Sequence, residues 1–212
     1  MNLAGERKRF EWLLRPVAGT LSSLPLSPNQ LTLAGLVFGL ASAALYASGA
    51  LAFAGVALLF HSLFDLADGY VARAKKQSTV FGAVFDGLSD RYVNGLILLA
   101  ITSFAWNGSY PLLGLGMLAT VGSLVNSFAK TQTYAEAGSS TRVGGRIESA
   151  MEGIGVYGFA ECVITLLAFT AATLLLNIPL MGIALGVVAA GSHLSLIQRL
   201  MYVGEKFGSK RD

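Results

Sequence analysis

The sequence predicts an all-α integral membrane protein: six transmembrane helices preceded by an N-terminal amphipathic helix that lies in the membrane interface. Three observations predict it. Of the 212 residues, 54% are hydrophobic and 13% are charged, where a soluble domain carries roughly 25% charged residues. The mean hydropathy is +0.62, and apolar runs recur at the length of about 20 residues that carries a helix across a bilayer. Between these runs stand short clusters of Gly, Pro, Asn and Ser, the residues that mark turns.

The elements follow in order. Residues 5–25, GERKRFEWLLRPVAGTLSSLP, mix Arg and Lys with Phe10, Trp12, Leu13 and Leu14, a pattern suited to an interfacial helix. Ser27-Pro28-Asn29 is a break. Hydropathy then predicts spans over 30–49, 51–75, 80–106, 110–136, 146–176 and 178–205. The separators are ASGA, KKQST, WNGSYP, GSSTRVGG and LNIP. There is no repeat or low-complexity tract, so residues 1–212 are expected to form one membrane domain. The single Cys162 excludes an intrachain disulfide. The basic stretch from Met1 to Arg15 is not followed by a short apolar core with a small-residue cleavage site, so no cleaved signal peptide is expected.

Charge predicts orientation. The links near Ser48, Asn107 and Asn177 carry no Lys or Arg. The other ends hold Arg7, Lys8, Arg9 and Arg15, then Arg73, Lys75 and Lys76, then Lys130, Arg142 and Arg146, then Lys206, Lys210 and Arg211. Alternate links are basic, which predicts a multi-pass protein of the cell membrane with both termini in the cytoplasm. The net charge of +3 is then a one-sided basic collar. It sets topology, and it can also attract anionic lipids or a phosphorylated substrate.

One stretch breaks the apolar pattern: FDLADGYVARAKKQSTVFGAVFDGLSD, residues 64–90. A carboxylate at the bilayer centre costs about 2.5 to 3.5 kcal/mol on the lenient insertion scale. Asp65 and Asp68 lie near the end of the second span, and Asp86 and Asp90 lie in the facing part of the third. Spacings of three and four put each pair on one helix face, and the short AKKQST link makes the two helices antiparallel neighbours. The four carboxylates therefore converge, and they repel unless cations neutralise them. Oxygen donors select hard divalent ions such as Mg²⁺, Mn²⁺ or Ca²⁺. Four carboxylates suffice to bracket two such ions, as in two-metal phosphoryl-transfer sites. Gly69 and Gly82 sit beside the acids. Glycine within a helix costs about 0.5 to 1 kcal/mol relative to Ala, which close approach of a bulky ligand or of another helix justifies. Arg73 follows Asp68 and suits a phosphate clamp.

These residues carry a resemblance. Asp65-x-x-Asp68-Gly69-x-x-Ala72-Arg73, followed by Gly82-x-x-x-Asp86-x-x-x-Asp90, is similar at every fixed position to the signature of the CDP-alcohol phosphotransferase family, including the spacing between the two halves. The resemblance extends over nearly the whole chain. It implies metal binding by Asp65, Asp68, Asp86 and Asp90, with Mg²⁺ or Mn²⁺, two ions, as cofactor. Asp90 would also act as the base that deprotonates the acceptor hydroxyl. Gly69, Ala72, Arg73 and Gly82 would line the nucleotide pocket. Pro28, Asn29 and Thr32, in the SPNQLT segment, resemble the stretch that approaches the cytidine; Asn29 alternatively serves only as the cap of the first helix. The implied reaction is transfer of a phospho-alcohol group from a CDP-linked lipid to an acceptor alcohol, with release of CMP. The family also implies a homodimer, and nothing suggests a nucleic-acid partner.

The acceptor side is read from SFAKTQTYAEAGSSTRVGGRIES. Lys130, Arg142 and Arg146 would crowd the same cytoplasmic cavity and suit a phosphorylated acceptor such as inositol phosphate or glycerol phosphate. The stretch looks like that of the phosphatidylinositol-phosphate synthase branch, with its K-A-R-A-E and E-R-x-E-R motifs. It departs from both, with Gln132 and Ser149 where Arg would stand. Lys130 and Arg142 alternatively act only as topology charges. His61 reads as a hydrogen-bonded interior residue, Arg199 as a group that approaches the cavity or pairs with the acids, and Glu161 has no assignment. A second function class is a divalent-cation carrier, since intramembrane acids also mark ion pathways. It would place polar groups across the whole membrane depth, whereas here the acids gather at one end and stretches such as LVFGLASAALYA are bland.

Overall fold

The structure is a computed structural model, and it describes residues 26–137, 140–143, 146–149, 151 and 153–207. The elements are α1 (Pro28–Ala47), α2 (Leu51–Ala74), α3 (Val80–Trp106), α4 (Tyr110–Ala137), β1 (Ser140–Val143), β2 (Arg146–Ser149), α5 (Phe159–Leu176) and α6 (Met181–Phe207). The expected interfacial helix at 5–25 lies outside the described residues.

Local chemistry sets the helix ends. Ser27 caps α1: its hydroxyl accepts from the Gln30 N–H at 3.3 Å, while its own N–H donates to Gln30 Oε1 at 2.8 Å, a reciprocal capping box. Pro28 occupies the first turn, where its missing N–H is harmless. The α2–α3 link closes with Lys76 in the left-handed region, φ 55°. Thr79 then caps α3 by accepting from the Gly82 N–H at 3.0 Å. Asn107 and Asn177 end α3 and α5, both in the left-handed conformation that Asn tolerates.

Five helices, α1, α2, α4, α5 and α6, are long and apolar enough to cross a membrane. The 27-residue α3 carries Asp86, Asp90 and Arg91 in its first half. The surface is apolar, with Phe53 71% and Leu175 84% exposed, the inverse of a water-soluble protein. Inside, α1 packs on α2 and α3, α4 on α3 and α6, and α5 on α2 and α6. The core of Tyr46, Leu58, Ile97, Leu98, Ile101, Leu166 and Leu185 is stitched by polar pairs. Tyr46 OH and Thr170 Oγ1 are 2.8 Å apart, Ser42 Oγ donates to the Ala54 carbonyl at 2.9 Å, and Asn94 Nδ2 donates to Ser123 Oγ at 2.7 Å. Such bonds join helices where lipid offers no hydrophobic drive between them.

The expectations hold for most spans and need correction at one. Four of the helices shift by at most three residues from the expected bounds, and α3 starts and ends where expected. The fifth span, expected at 146–176, begins as a helix only at Phe159; Arg146–Ser149 is instead a strand paired antiparallel to Ser140–Val143. The all-α class stands, with one short hairpin added between α4 and α5. The physical reason lies in the glycines that follow. Gly153 and Gly155 adopt φ 83° and φ 91°, which ends any helical path, yet Ile147, Met151, Ile154, Val156 and Tyr157 keep the stretch apolar, so hydropathy does not register the break.

Gly39 shows how closely α1 approaches α3: a Cβ there would lie 2.5 Å from Val93 Cγ1 and 3.2 Å from the His61 ring. Val93 is β-branched and has few rotamers to yield with. Gly39→Ala is expected to destabilise the bundle by about 1–3 kcal/mol, seen as a lower thermal midpoint in detergent. Gly114→Ala, where nothing lies within 4 Å, is expected to leave the midpoint unchanged or raise it.

Candidate metal and donor site

The short α2–α3 link brings the last turns of α2 beside the first turns of α3, and the carboxylates meet there. One ligand oxygen each from Asp65, Asp86 and Asp90 lies within 4.8 Å of the others. Asp68 is adjacent, only 4% exposed, and is held differently: Thr32 Oγ1 on α1 donates to Asp68 Oδ2 at 2.5 Å. Thr32, Gly35, Leu36, His61 and Ser89 complete the wall of a cavity lined by all four aspartates. Its volume of about 10 Å³ admits about one water. The donor set is made of carboxylate oxygens with no thiolate, which suits a hard divalent cation. Among the described residues, this is the group of acids able to hold one.

Of the residues expected at the donor pocket, Thr32 lines the cavity, and Asn29, Gly69, Arg73 and Gly82 sit on the neighbouring turns of α1, α2 and α3. A Cβ on Gly82 would lie 3.0 Å from Asn29 Oδ1 and 3.1 Å from Thr79 Oγ1, so the first turn of α1 sits directly against the first turn of α3. The alternative in which Asn29 only caps the first helix is overturned: Ser27 is the cap, and Asn29 lies inside α1. On α2, a Cβ on Gly69 would lie 3.4 Å from a terminal nitrogen of Arg73, which places the guanidinium over the glycine. Lys75, read in the sequence only as part of the basic collar, donates from Nζ to the Leu26 carbonyl at 2.9 Å. It ties the lead-in to α1 onto the end of α2.

The acceptor candidates are only partly brought together. Lys130 lies near the end of α4. In the hairpin, Arg142 pairs with Ile147 and Val143 with Arg146, so the two arginines occupy neighbouring rungs. Arg91, which the sequence reading passed over, reaches from α3 to Thr131 Oγ1 at 3.3 Å and also bonds the Gly87 carbonyl. Arg199 is buried. Its Nε donates to the Ile154 carbonyl at 3.2 Å and its Nη1 to the Asn126 carbonyl, so it braces the segment before α5 against α4. Glu161 also finds a role: its Oε2 accepts from the Gly158 N–H at 2.9 Å at the start of α5. The signal for Arg199 was its position as a cation within an apolar helix, which predicts inward orientation, but backbone carbonyl partners leave no trace in sequence.

Comparison with known proteins agrees with this geometry. The family model for CDP-alcohol phosphatidyltransferase matches residues 25–195. The chain is 31% identical to the phosphatidylinositol phosphate synthase of Corynebacterium glutamicum, over 94% of this chain and 87% of that protein. It is 33% identical to the archaetidylinositol phosphate synthase of Methanothermobacter thermautotrophicus, over 90% and 88%. Among solved structures it resembles the phosphatidylinositol phosphate synthase of Mycobacterium tuberculosis with CDP-DAG bound, with a TM-score of 0.75, 26% identity and coverage of 94% of this chain and 98% of that one. The same enzyme in complex with manganese and citrate gives a TM-score of 0.74 at 25% identity, covering 94% of this chain and 93% of that one. With its aspartates gathered between α2 and α3 and the family match running across them, the chain belongs to the CDP-alcohol phosphatidyltransferase family.

Proposed function

We propose that the chain transfers a phosphatidyl-type group from CDP-diacylglycerol or a related CDP-lipid to a phosphorylated polyol, with inositol phosphate or glycerol phosphate as the acceptor, and releases CMP. The observation that carries this reading is the convergence of Asp65, Asp86 and Asp90, with Asp68 beside them, against the first turn of α1. The bacterial and archaeal relatives, both named as inositol phosphate lipid synthases, support the acceptor class. The whole chain acts as one membrane domain, with α3 as the sixth span. At about 1.5 Å per residue, its 27 residues are long enough, and its charges sit in the half that faces the site. The basic collar supports a cell-membrane location with the site and both termini toward the cytoplasm. Homodimer formation rests on the family resemblance.

The chemistry divides among the side chains. Asp65, Asp68 and Asp86 would hold two Mg²⁺ or Mn²⁺ ions, with Asp90 beside them. Such ions would supply charge neutralisation for the donor pyrophosphate and for the charge that develops on CMP. Asn29, Thr32, Gly69, Ala72, Arg73 and Gly82, with Pro28, shape the nucleotide pocket, the glycines leaving backbone accessible and Arg73 donating to phosphate oxygens. Asp90 takes the proton from the acceptor hydroxyl as its oxygen attacks the lipid-side phosphorus. The bond from that phosphorus to the CMP oxygen breaks, and CMP leaves with that oxygen. Lys130, Arg142 and Arg146 bind the acceptor's phosphate. The cation-carrier alternative loses support, because the acids stay at one end of the helices while the deeper polar groups are hydroxyls and amides bonded to one another or to the backbone.

The direct test is CMP release in detergent from a CDP-lipid against a panel of free and phosphorylated polyols. Absence of CMP with every acceptor, together with metal flux in vesicles, would overturn the reading. Asp90→Asn keeps shape and an oxygen donor but removes basicity. It is expected to retain metal-dependent donor binding while turnover falls roughly 10²- to 10⁴-fold, whereas Asp65→Asn is expected to weaken donor binding as well. Equal loss of donor binding in both variants would make Asp90 a metal ligand and not the base. Arg146→Ala is expected to raise the acceptor KM about 10- to 100-fold, as loss of a charged hydrogen bond does, and to leave the donor KM unchanged. Equal effects on both substrates would reduce Arg146 to a topology charge.

A further inference from the structure

His61 lies one helical turn before Asp65 on α2, on the side of the carboxylate cavity farthest from the α2–α3 link, and it lines that cavity. It is 2% exposed. Its Nδ1 stands 2.9 Å from the Gly35 carbonyl on α1. A carbonyl only accepts, so Nδ1 carries the proton, and in the neutral ring Nε2 is a bare acceptor. That Nε2 is buried and has no hydrogen-bond partner among the described residues. Packing leaves the ring little freedom to find one. Phe159 meets it edge-on with ring centres 6.2 Å apart, and the Gly39 backbone lies so close that a Cβ there would be 3.2 Å from Nδ1. The Gly39 backbone and the carbonyl of Gly35 thus hold the ring in one tautomer and one orientation, in the wall of the cavity that the aspartates line.

We infer that Nε2 of His61 accepts a hydrogen bond from a water at the floor of this cavity, and that in the metal-loaded protein this water belongs to the ion's coordination shell. A direct bond to the ion is disfavoured by position: the ligand atoms that gather within 4.8 Å are those of Asp65, Asp86 and Asp90, without the histidine. Hard divalent ions keep water ligands, and partners that receive hydrogen bonds from the ligand shell fix its orientation and raise metal affinity. His61 is therefore a positioning residue, acting on the ion through a water from the side opposite the link. The inference rests on the metal site proposed above.

The test is Mn²⁺ titration calorimetry on the full chain in detergent, comparing wild type with His61→Asn and His61→Gln. Asn keeps a donor near the Nδ1 position for the Gly35 carbonyl but does not reach the Nε2 position; Gln extends an oxygen acceptor there. His61→Asn is expected to weaken Mn²⁺ binding about 10-fold or more, the usual effect of removing an outer partner, and His61→Gln to stay close to wild type. The melting temperature of the metal-free protein is expected to fall by similar amounts in both variants, since each gives up part of the packing or of the bond to Gly35, so that packing alone would not separate Asn from Gln in Mn²⁺ affinity. Failure of the wild type to bind Mn²⁺ would overturn the metal site itself. Wild-type binding with an unchanged His61→Asn would overturn only the role given to His61. Equal weakening in both variants with a lowered metal-free melting temperature would make His61 a packing residue. A directly bonded nitrogen in the Mn²⁺ electron paramagnetic resonance spectrum would overturn the intervening water.

Discussion

Four carboxylates drawn together beside a lipid-facing surface repel one another, and the fold around them is organised to hold that arrangement. Each is expensive to bury alone, and each raises the cost of the next. A divalent cation converts this repulsion into attraction, but only if the oxygens are already in place. The short link between α2 and α3 supplies the placement, because two antiparallel helices joined by a few residues must present their neighbouring turns at the same depth. The oxygens of Asp65, Asp86 and Asp90 within 4.8 Å of one another are the result. A longer or more flexible connection would let the helices slide and the acids separate.

α1 acts as a clamp on this pair of helices. At its start, the Ser27–Gln30 capping box fixes the direction of the chain, Lys75 bonds the Leu26 carbonyl from α2, and Asn29 rests against Gly82 on α3. One turn on, Thr32 donates to Asp68. Further along, the Gly35 carbonyl receives His61, and Gly39 lets Val93 close in. At these points α1 touches α2 or α3 through a small residue, a polar side chain or a backbone group, while Phe38 stacks on Phe60 and Phe64 of α2 with ring centres 5.1 and 5.5 Å apart. The bond from Thr32 ties Asp68 directly to α1.

Much of this was legible in the sequence because it is periodic. The spacings Asp65–Asp68 and Asp86–Asp90 place side chains on helix faces without knowledge of the fold, and α3 spans the residues that hydropathy marked. What escaped is aperiodic. The apolar content of residues 147–157 hides a hairpin and two left-handed glycines from a hydropathy reading. Asn29 and Ser27 are both good caps, and only the backbone shows that Ser27 is used. His61 and Arg199 owe their positions to backbone carbonyls of Gly35, Ile154 and Asn126, groups every residue type carries, so no pattern of side chains announces them.

The two halves of the proposed site are consequently built by different means. The proposed donor half stands on α1, α2 and α3, with its functional groups fixed to helix axes. The proposed acceptor half includes a hairpin carrying Arg142 and Arg146 and a loop that reaches α5, segments with no helical register of their own. That loop is held by bonds to its neighbours: Tyr157 N–H donates to Ser195 Oγ at 2.6 Å, Val156 N–H to Gln198 Oε1 at 3.0 Å, and Asn126 Nδ2 to the Tyr157 carbonyl at 3.0 Å, with Arg199 closing the set. Gly155 is required where this loop crosses α6, since a Cβ would meet Ser195 at 3.1 Å and φ is +91°. A chemistry common to many substrates is thus held by helix geometry that changes little when side chains change. In the proposed reading, recognition of a particular acceptor hangs on the end of α4, the hairpin and the bonded loop, where departures such as Gln132 on α4 and Ser149 in the hairpin alter charge without disturbing the aspartates.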